Sequence, residues 1–155
     1  MRLLLISILL LLFVFSCKKD NNDVSSNFED NYGEGLYILT DLGVNFYNYQ
    51  DSLTQLQENI FSTVNNLSIS NANKIKIKGT KVYILAGDHI ITSNVNTFED
   101  KGIIDGFYSI SDIDFISNDR LIVLDQGDSK IKIVDLRSME ITTNIEAGDS
   151  VRPIT

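Results

Sequence analysis

The chain repeats itself. "GTKVYILAGD" (Gly79 to Asp88) lies over "NDRLIVLDQGD" (Asn118 to Asp128), with Val82, Tyr83, Ile84 and Leu85 meeting Leu121, Ile122, Val123 and Leu124, each 39 residues later. Carried forward, the same offset sets Asn96 on Asp135. It then widens to 41, so that Thr97-Phe98 meets Ser138-Met139, Ile104 meets Ile145, Ser111 meets Arg152 and Ile113 meets Ile154. A looser copy opens at "LYIL" (Leu36 to Leu39), 46 residues before "VYIL". A fixed period constrains folding strongly, because each unit is one small module that must stack on neighbours to bury its apolar faces.

The modules are built of strands. "GLYILTD", "KIKIKG", "KVYILAGD", "DIDFIS", "RLIVLDQGD", "KIKIVD" and "EITTNIEAGD" are short, rich in Ile, Val, Leu and Tyr, and separated by Gly, Asn, Asp and Ser. Only "SLTQLQENIFSTVNN" (Ser52 to Asn66) has helical spacing, in Leu53, Leu56 and Ile60, and its Thr, Asn and Gln content favours a strand plus a long loop. Within one unit the strands are "ISDIDFIS", "RLIVLDQ", "KIKIVD" and "EITTNI". The aliphatic second strand is expected to be buried on both faces, and the last two to lie nearer solvent. Asp135 suits an Asx turn into "LRS", and Gly87 and Gly127 are assigned the backbone freedom of the hairpin between second and third strands.

Four short strands in about 40–45 residues are the signature of a propeller blade. The expected fold is therefore all-β: propeller blades of four antiparallel strands, about three of them in residues 35–155, with the ring incomplete. Closed propellers have about 4–8 blades. "VRPIT" falls where the 41-residue offset places the first strand of another blade, so the chain reads as a truncated part of a longer protein. An open wedge of this kind exposes a blade face and an edge strand.

The N-terminus is a separate device. After Arg2, the run from Leu3 to Phe15 is 13 residues long and almost purely apolar, too short to span a bilayer and right for a secretory leader. It ends in Val14-Phe15-Ser16-Cys17, which resembles a bacterial lipobox, although Phe15 is bulkier than the residue usual at its place. The resemblance implies cleavage before Cys17, lipid on its sulfur, and residues 1–16 as signal peptide. Cys17 is the only cysteine, so it has no disulfide partner, and no clustered His joins it in a zinc site. Several acyl chains on one residue hold a protein to a membrane effectively permanently. Residues 17–34 are rich in Asp, Asn, Ser and Glu and read as a flexible tether. "KKDNND" directly after Cys17 resembles the signal that sends lipoproteins of Bacteroidota to the outer face of the outer membrane; the alternative location is the periplasmic leaflet.

"LIVLDQGDSKIKIVDLRSMEITTNIEAGDSVRPIT" resembles the YVTN, or YncE-like, β-propeller repeat, through Leu121 to Val123, Gly127-Asp128, Ile131 to Asp135, Ser138, Ile145, Gly148 and Pro153. The upstream "NIFSTVNN" and "IKIKGTKVYIL" are similar to the first blade boundary of surface lipoproteins of that family. The resemblance covers Gly35 to Thr155 and implies a binding module at the cell surface, whose propeller captures a small-molecule ligand or partner and passes it to an outer-membrane transporter.

Composition and motifs narrow the chemistry. A net charge of −8, one unit more acidic once Arg2 is removed, argues against nucleic acid as a partner. There is no Gly-x-Ser-x-Gly, phosphate-binding Gly loop or His-Glu-x-x-His, and no cofactor, catalytic or metal residues are assigned. The sole histidine, His89 in "GDHIIT", is expected to be an ordinary turn or strand residue. Asp125, Asp128 and Asp135 surround one hairpin without the dense spacing of a calcium loop and are expected to be turn carboxylates. Tyr32, Tyr37, Phe46, Tyr47 and Tyr49 could stack on a sugar or flat macrocycle, but packing between blades is expected. Asp51-Ser52-Leu53 and Asp149-Ser150-Val151 resemble the O-glycosylation tripeptide of Bacteroidota, at Ser52 and Ser150. The competing class is a propeller enzyme of lyase or hydrolase type, with its catalytic residues in further blades.

Overall fold

The computed structural model describes residues 32–50 and 55–148. Among the described residues, ten strands and one short helix follow in order: β1 (Leu36–Thr40), β2 (Gly43–Tyr47), α1 (Ile60–Asn65), β3 (Ala72–Lys78), β4 (Lys81–Ala86), β5 (His89–Asn94), β6 (Asp100–Ile104), β7 (Ile110–Phe115), β8 (Arg120–Asp125), β9 (Lys130–Asp135) and β10 (Glu140–Glu146). β3 to β6 form one four-stranded antiparallel meander and β7 to β10 a second. β1 and β2 form a hairpin, extended by a bridge from Phe46 to Gln57. The architecture is all-β, with propeller-like blade units in an unclosed arrangement.

The first unit matches the others. β1 packs against β3 as β4 packs against β7, so "LYIL" does occupy the place of "VYIL". The fourth strand of this unit is reduced to the bridge at Gln57. A helix then follows from Ile60 to Asn65, where a strand and long loop were expected. Asn59 and Asn66 flank it with positive φ, the conformation Asn tolerates best after Gly. Ile60 and Phe61 bury themselves under β2, and Asn65 bridges to the next unit through Phe98 O at 2.9 Å and Asp100 N at 2.8 Å. Tertiary burial decides the local conformation here.

Among the described residues, both core clusters lie at seams between units. The first joins Val44, Phe46, Ile60 and Phe61 to Val82, Ile84, Ile91 and Phe98. Its centre is aromatic: Tyr32 and Tyr37 each contact both Phe46 and Phe98, with ring centroids 5.0–5.6 Å apart. The second seam joins Tyr83, Leu85, Ile90 and Ile104 to Ile110, Ile113, Leu121, Val123 and Val134. β4 is therefore buried on both faces from Val82 to Ala86, as expected of a second strand. β8 is not: Leu121, Val123 and Asp125 are buried, whereas Ile122 and Leu124 are only half-buried.

The pairing register corrects one alignment. Lys81 opposes Asn94 as Arg120 opposes Asp135, so the partner of Asp135 is Asn94, not Asn96. The two extra residues lie in the β8–β9 hairpin, earlier than the sequence comparison put them. Side-chain chemistry agrees: Asn94 Oδ1 accepts from Asn96 N and Thr97 N, and Asp135 Oδ1 accepts from Arg137 N, the anticipated Asx turn. Phe98 and Met139, both at positive φ, keep the offset of 41.

Inner strands are also tied by side chains. Asn73, Lys76 and Lys78 of β3 donate to the carbonyls of Ile110, Ile113 and Ser117, along β7 and just past its end. Lys74 and Lys76 pair with Asp112 at 2.9 and 3.4 Å. By register, Lys74 and Lys76 correspond to Asp112 and Asp114, so the charge reverses from one inner strand to the next.

Leu85→Ala, at a site 0% exposed, is expected to cost about 2–5 kcal/mol, while Leu124→Ala at the equivalent but half-buried site should cost clearly less. Urea unfolding of the two variants checks this; equal costs would mean that the outer face of β8 is covered.

Candidate functional site

Strand direction sorts the loops into two ends. The β1–β2, β4–β5 and β8–β9 hairpins share one end with the segments 66–71 and 105–109 that link successive units. This linker end holds Asp125, Asp128 and His89. Asp135 lies at the other end, so the three aspartates do not form one group.

Asp125 is completely buried and forms the centre of the site. Its Oδ2 accepts from Lys132 Nζ at 2.7 Å and Tyr108 N at 2.9 Å; its Oδ1 accepts from Ser109 N at 2.8 Å and Gly127 N at 3.1 Å. Lys132, 3% exposed, also donates to Gly106 O at 2.9 Å and pairs with Asp128 Oδ2 at 3.1 Å. Its ammonium lies 5.5 Å from the Phe107 ring and 5.4 Å from the Tyr108 ring. One buried ion pair thus holds the linker from Gly106 to Ser109 against β8 and β9. Asp125 is more than a turn carboxylate.

Burial alone would raise the Asp125 carboxyl, but Lys132 and the amides of Ser109 and Tyr108 outweigh it and hold its pKa low. Burial likewise opposes the charge on Lys132, and Asp125 and Asp128 overcome it and raise its pKa. Gly127 has a steric role in place of the conformational one expected of it. A Cβ there would strike Tyr108, whereas the positive φ of this hairpin falls on Ser129. Gly87, with φ 71°, does serve the tight turn as expected, and its carbonyl accepts from Ile110 N at 2.8 Å.

That contact sets the Asp88-His89 pair, joined at 2.8 Å, beside the start of β7. His89 is the first residue of β5, opposite Ala86. Tyr32, Tyr37 and Phe46 serve packing, as anticipated; Tyr47 and Tyr49 are exposed outside the aromatic cluster. Cys17, Ser52, Ser150 and Pro153 lie outside the described residues.

Lys132 and Tyr108 were not singled out in the sequence. At the mistaken offset of 39, Lys132 falls on Ser93 and looks unremarkable. In the true register it replaces Ile91, and Asp125 replaces Ala86, both buried apolar residues. A paired change from apolar to opposite charges is a strong signal once the register is right.

No family model matches the chain, and no curated protein matches it. Solved structures do. A quinoprotein alcohol dehydrogenase-like protein from Bacteroides thetaiotaomicron VPI-5482 is similar with TM-score 0.59 and 19% identity, over 70% of this chain and 27% of that one. Apo AztD from Citrobacter koseri is similar with TM-score 0.51 and 14% identity, over 77% of this chain and 33% of that one. The shared feature is the fold. The match is distant and partial, to β-propeller-like architecture, and the chain spans about a quarter to a third of the length of these proteins. Among the described residues no helix is long and apolar enough to cross a membrane, and no His, Cys, Asp and Glu cluster is arranged to hold a metal.

Asp125→Ala is expected to cost about 3–5 kcal/mol by taking from the buried Lys132 ammonium its fully buried carboxylate partner and leaving it Asp128 alone, whereas adding Lys132→Ile, which copies the preceding unit, should recover most of the loss. The pH profile checks the cause. A lowered carboxyl contributes stability above its unfolded pKa and loses it as pH falls, so the wild type should weaken below about pH 4 more steeply than the double variant. The raised Lys132 pKa gives the opposite limb: its contribution holds below its unfolded value and is lost as pH rises through the folded one.

Proposed function

We propose that the chain is a lipoprotein, anchored through Cys17 to the outer membrane and displayed at the cell surface, whose propeller binds a ligand or protein partner at the linker end. The observation that carries the choice of face is Tyr108. Its side chain stands in a residue 72% exposed, while its amide is fixed by a carboxylate that is completely buried. An aromatic held on a rigid backbone loses little conformational freedom when a partner covers it, which is what a strong contact residue needs. Leu42, 75% exposed, and Leu67, 45% exposed, add apolar surface at the same end.

The anchor rests on the sequence: an apolar leader, a lipobox-like Val14 to Cys17, and a polar tether. The resemblance to YVTN-type surface lipoproteins supports the same reading and supplies the transfer step, delivery of a captured ligand to an outer-membrane transporter. In this reading residues 35–155 are part of a larger ring whose further blades complete the binding face. O-glycans at Ser52 and Ser150 would suit that location.

Cys17→Ala should abolish incorporation of labelled fatty acid and leave the protein unprocessed or released from membranes. An unlabelled wild-type protein starting at another residue would sink the anchor. For the face, a photoreactive phenylalanine at position 108 in intact cells should give one discrete adduct, absent when the probe replaces the exposed Asn144. Equal or no crosslinking at both sites would remove the linker end as the contact surface.

A further inference from the structure

At the end opposite the linkers, a cavity of about 440 Å³ opens between the second and third units, lined by Lys78, Gly79, Thr80, Lys81, Tyr83 and Asn118. Lys78 and Lys81 stand directly opposite each other in the β3–β4 ladder. Like charges at facing positions destabilise a sheet. The fold does not demand the pair: at the equivalent place in the next unit, Ile116 stands with Arg120. A local arrangement that works against stability, in a chain of net charge −8, points to a use for the positive charge.

The groove is built to present donors. Lys78 is held in place, its ammonium bonded to Ser117 O at 2.7 Å and 4.5 Å from the Phe115 ring centroid. Lys81 is exposed beside it. Tyr83, 2% exposed and edge-on to Phe115, forms the floor. Burial raises its pKa, so the phenol keeps its proton and remains a donor. Thr80 and Asn118 complete a polar lining, in which no carboxylate stands among the described residues.

We propose that this groove binds a small oxyanion-bearing solute, with its carboxylate, phosphate or sulfate group seated between Lys78 and Lys81. The bound anion turns a repulsive pair into two charge-assisted contacts. This site is separate from the linker end and stands or falls independently of the lipid anchor and of Tyr108.

The test is an amide-shift titration of the full chain in mild detergent with sodium phosphate, sulfate and acetate, against chloride at constant ionic strength. Saturable shifts should be confined to residues 78–83 and Asn118 and vanish in Lys81→Gln. They should persist in Lys101→Gln, a lysine paired with Glu99 on an outer strand. Melting gives a second readout. Phosphate should raise the wild-type midpoint, and Lys81→Gln, relieved of repulsion, should start higher in chloride and gain nothing from phosphate. A sulfated disaccharide binding at least tenfold tighter than free sulfate would assign the site to the acidic group of a larger ligand; equal affinities would assign it to the free anion. Shifts that chloride reproduces, that survive Lys81→Gln, or that spread over all lysines would overturn the proposal.

Discussion

A four-stranded sheet that is apolar on both faces has to be covered on both faces, and this requirement organises the molecule. Each described core cluster lies between units, none within a single sheet. β4 shows the result most clearly, with Val82, Ile84 and Ala86 facing one seam and Tyr83 and Leu85 the other. The aromatic quartet of Tyr32, Tyr37, Phe46 and Phe98, the short helix and the asparagine bridge from α1 all serve the same junction. Stability in such an array resides in interfaces between neighbours.

Much of this was legible because the repeat carries the fold. The blade-like meander follows from aligning "VYIL" with "LIVL", and the second strand expected to be buried on both faces is so in β4, though not in β8. Three strands were missed as isolated segments: β2 ("GVNFY"), β5 ("HIITSN") and β6 ("DKGII"). Their polar residues and glycines weaken the local signal, and only ladder pairing with stronger neighbours makes them strands. The helix was missed for a related reason, since its two buried residues are fixed by a distant surface.

The site was less legible than the fold. A hairpin two residues longer in one unit than in the other displaced the alignment and hid the exchange of Ala86 and Ile91 for Asp125 and Lys132. Replacing buried apolar residues with an ion pair rarely adds stability by itself. What this pair adds is attachment: two linker amides and one carbonyl are satisfied by charged groups. The preceding unit, with apolar residues at these two positions, cannot hold its linker in this way. Rigidity at the linker end is thus a local acquisition by one blade.

The reversal of charge along successive inner strands has a consequence for assembly. Lys74 and Lys76 find Asp112 because the next strand carries acid where their own carries base. Two copies of the lysine-bearing unit side by side would meet with base against base, and two copies of the other with acid against acid. Near-identical modules are prone to pair with the wrong neighbour during folding. Here the mispairing is electrostatically marked, so the order of the modules is written into their edges as well as into the chain that joins them.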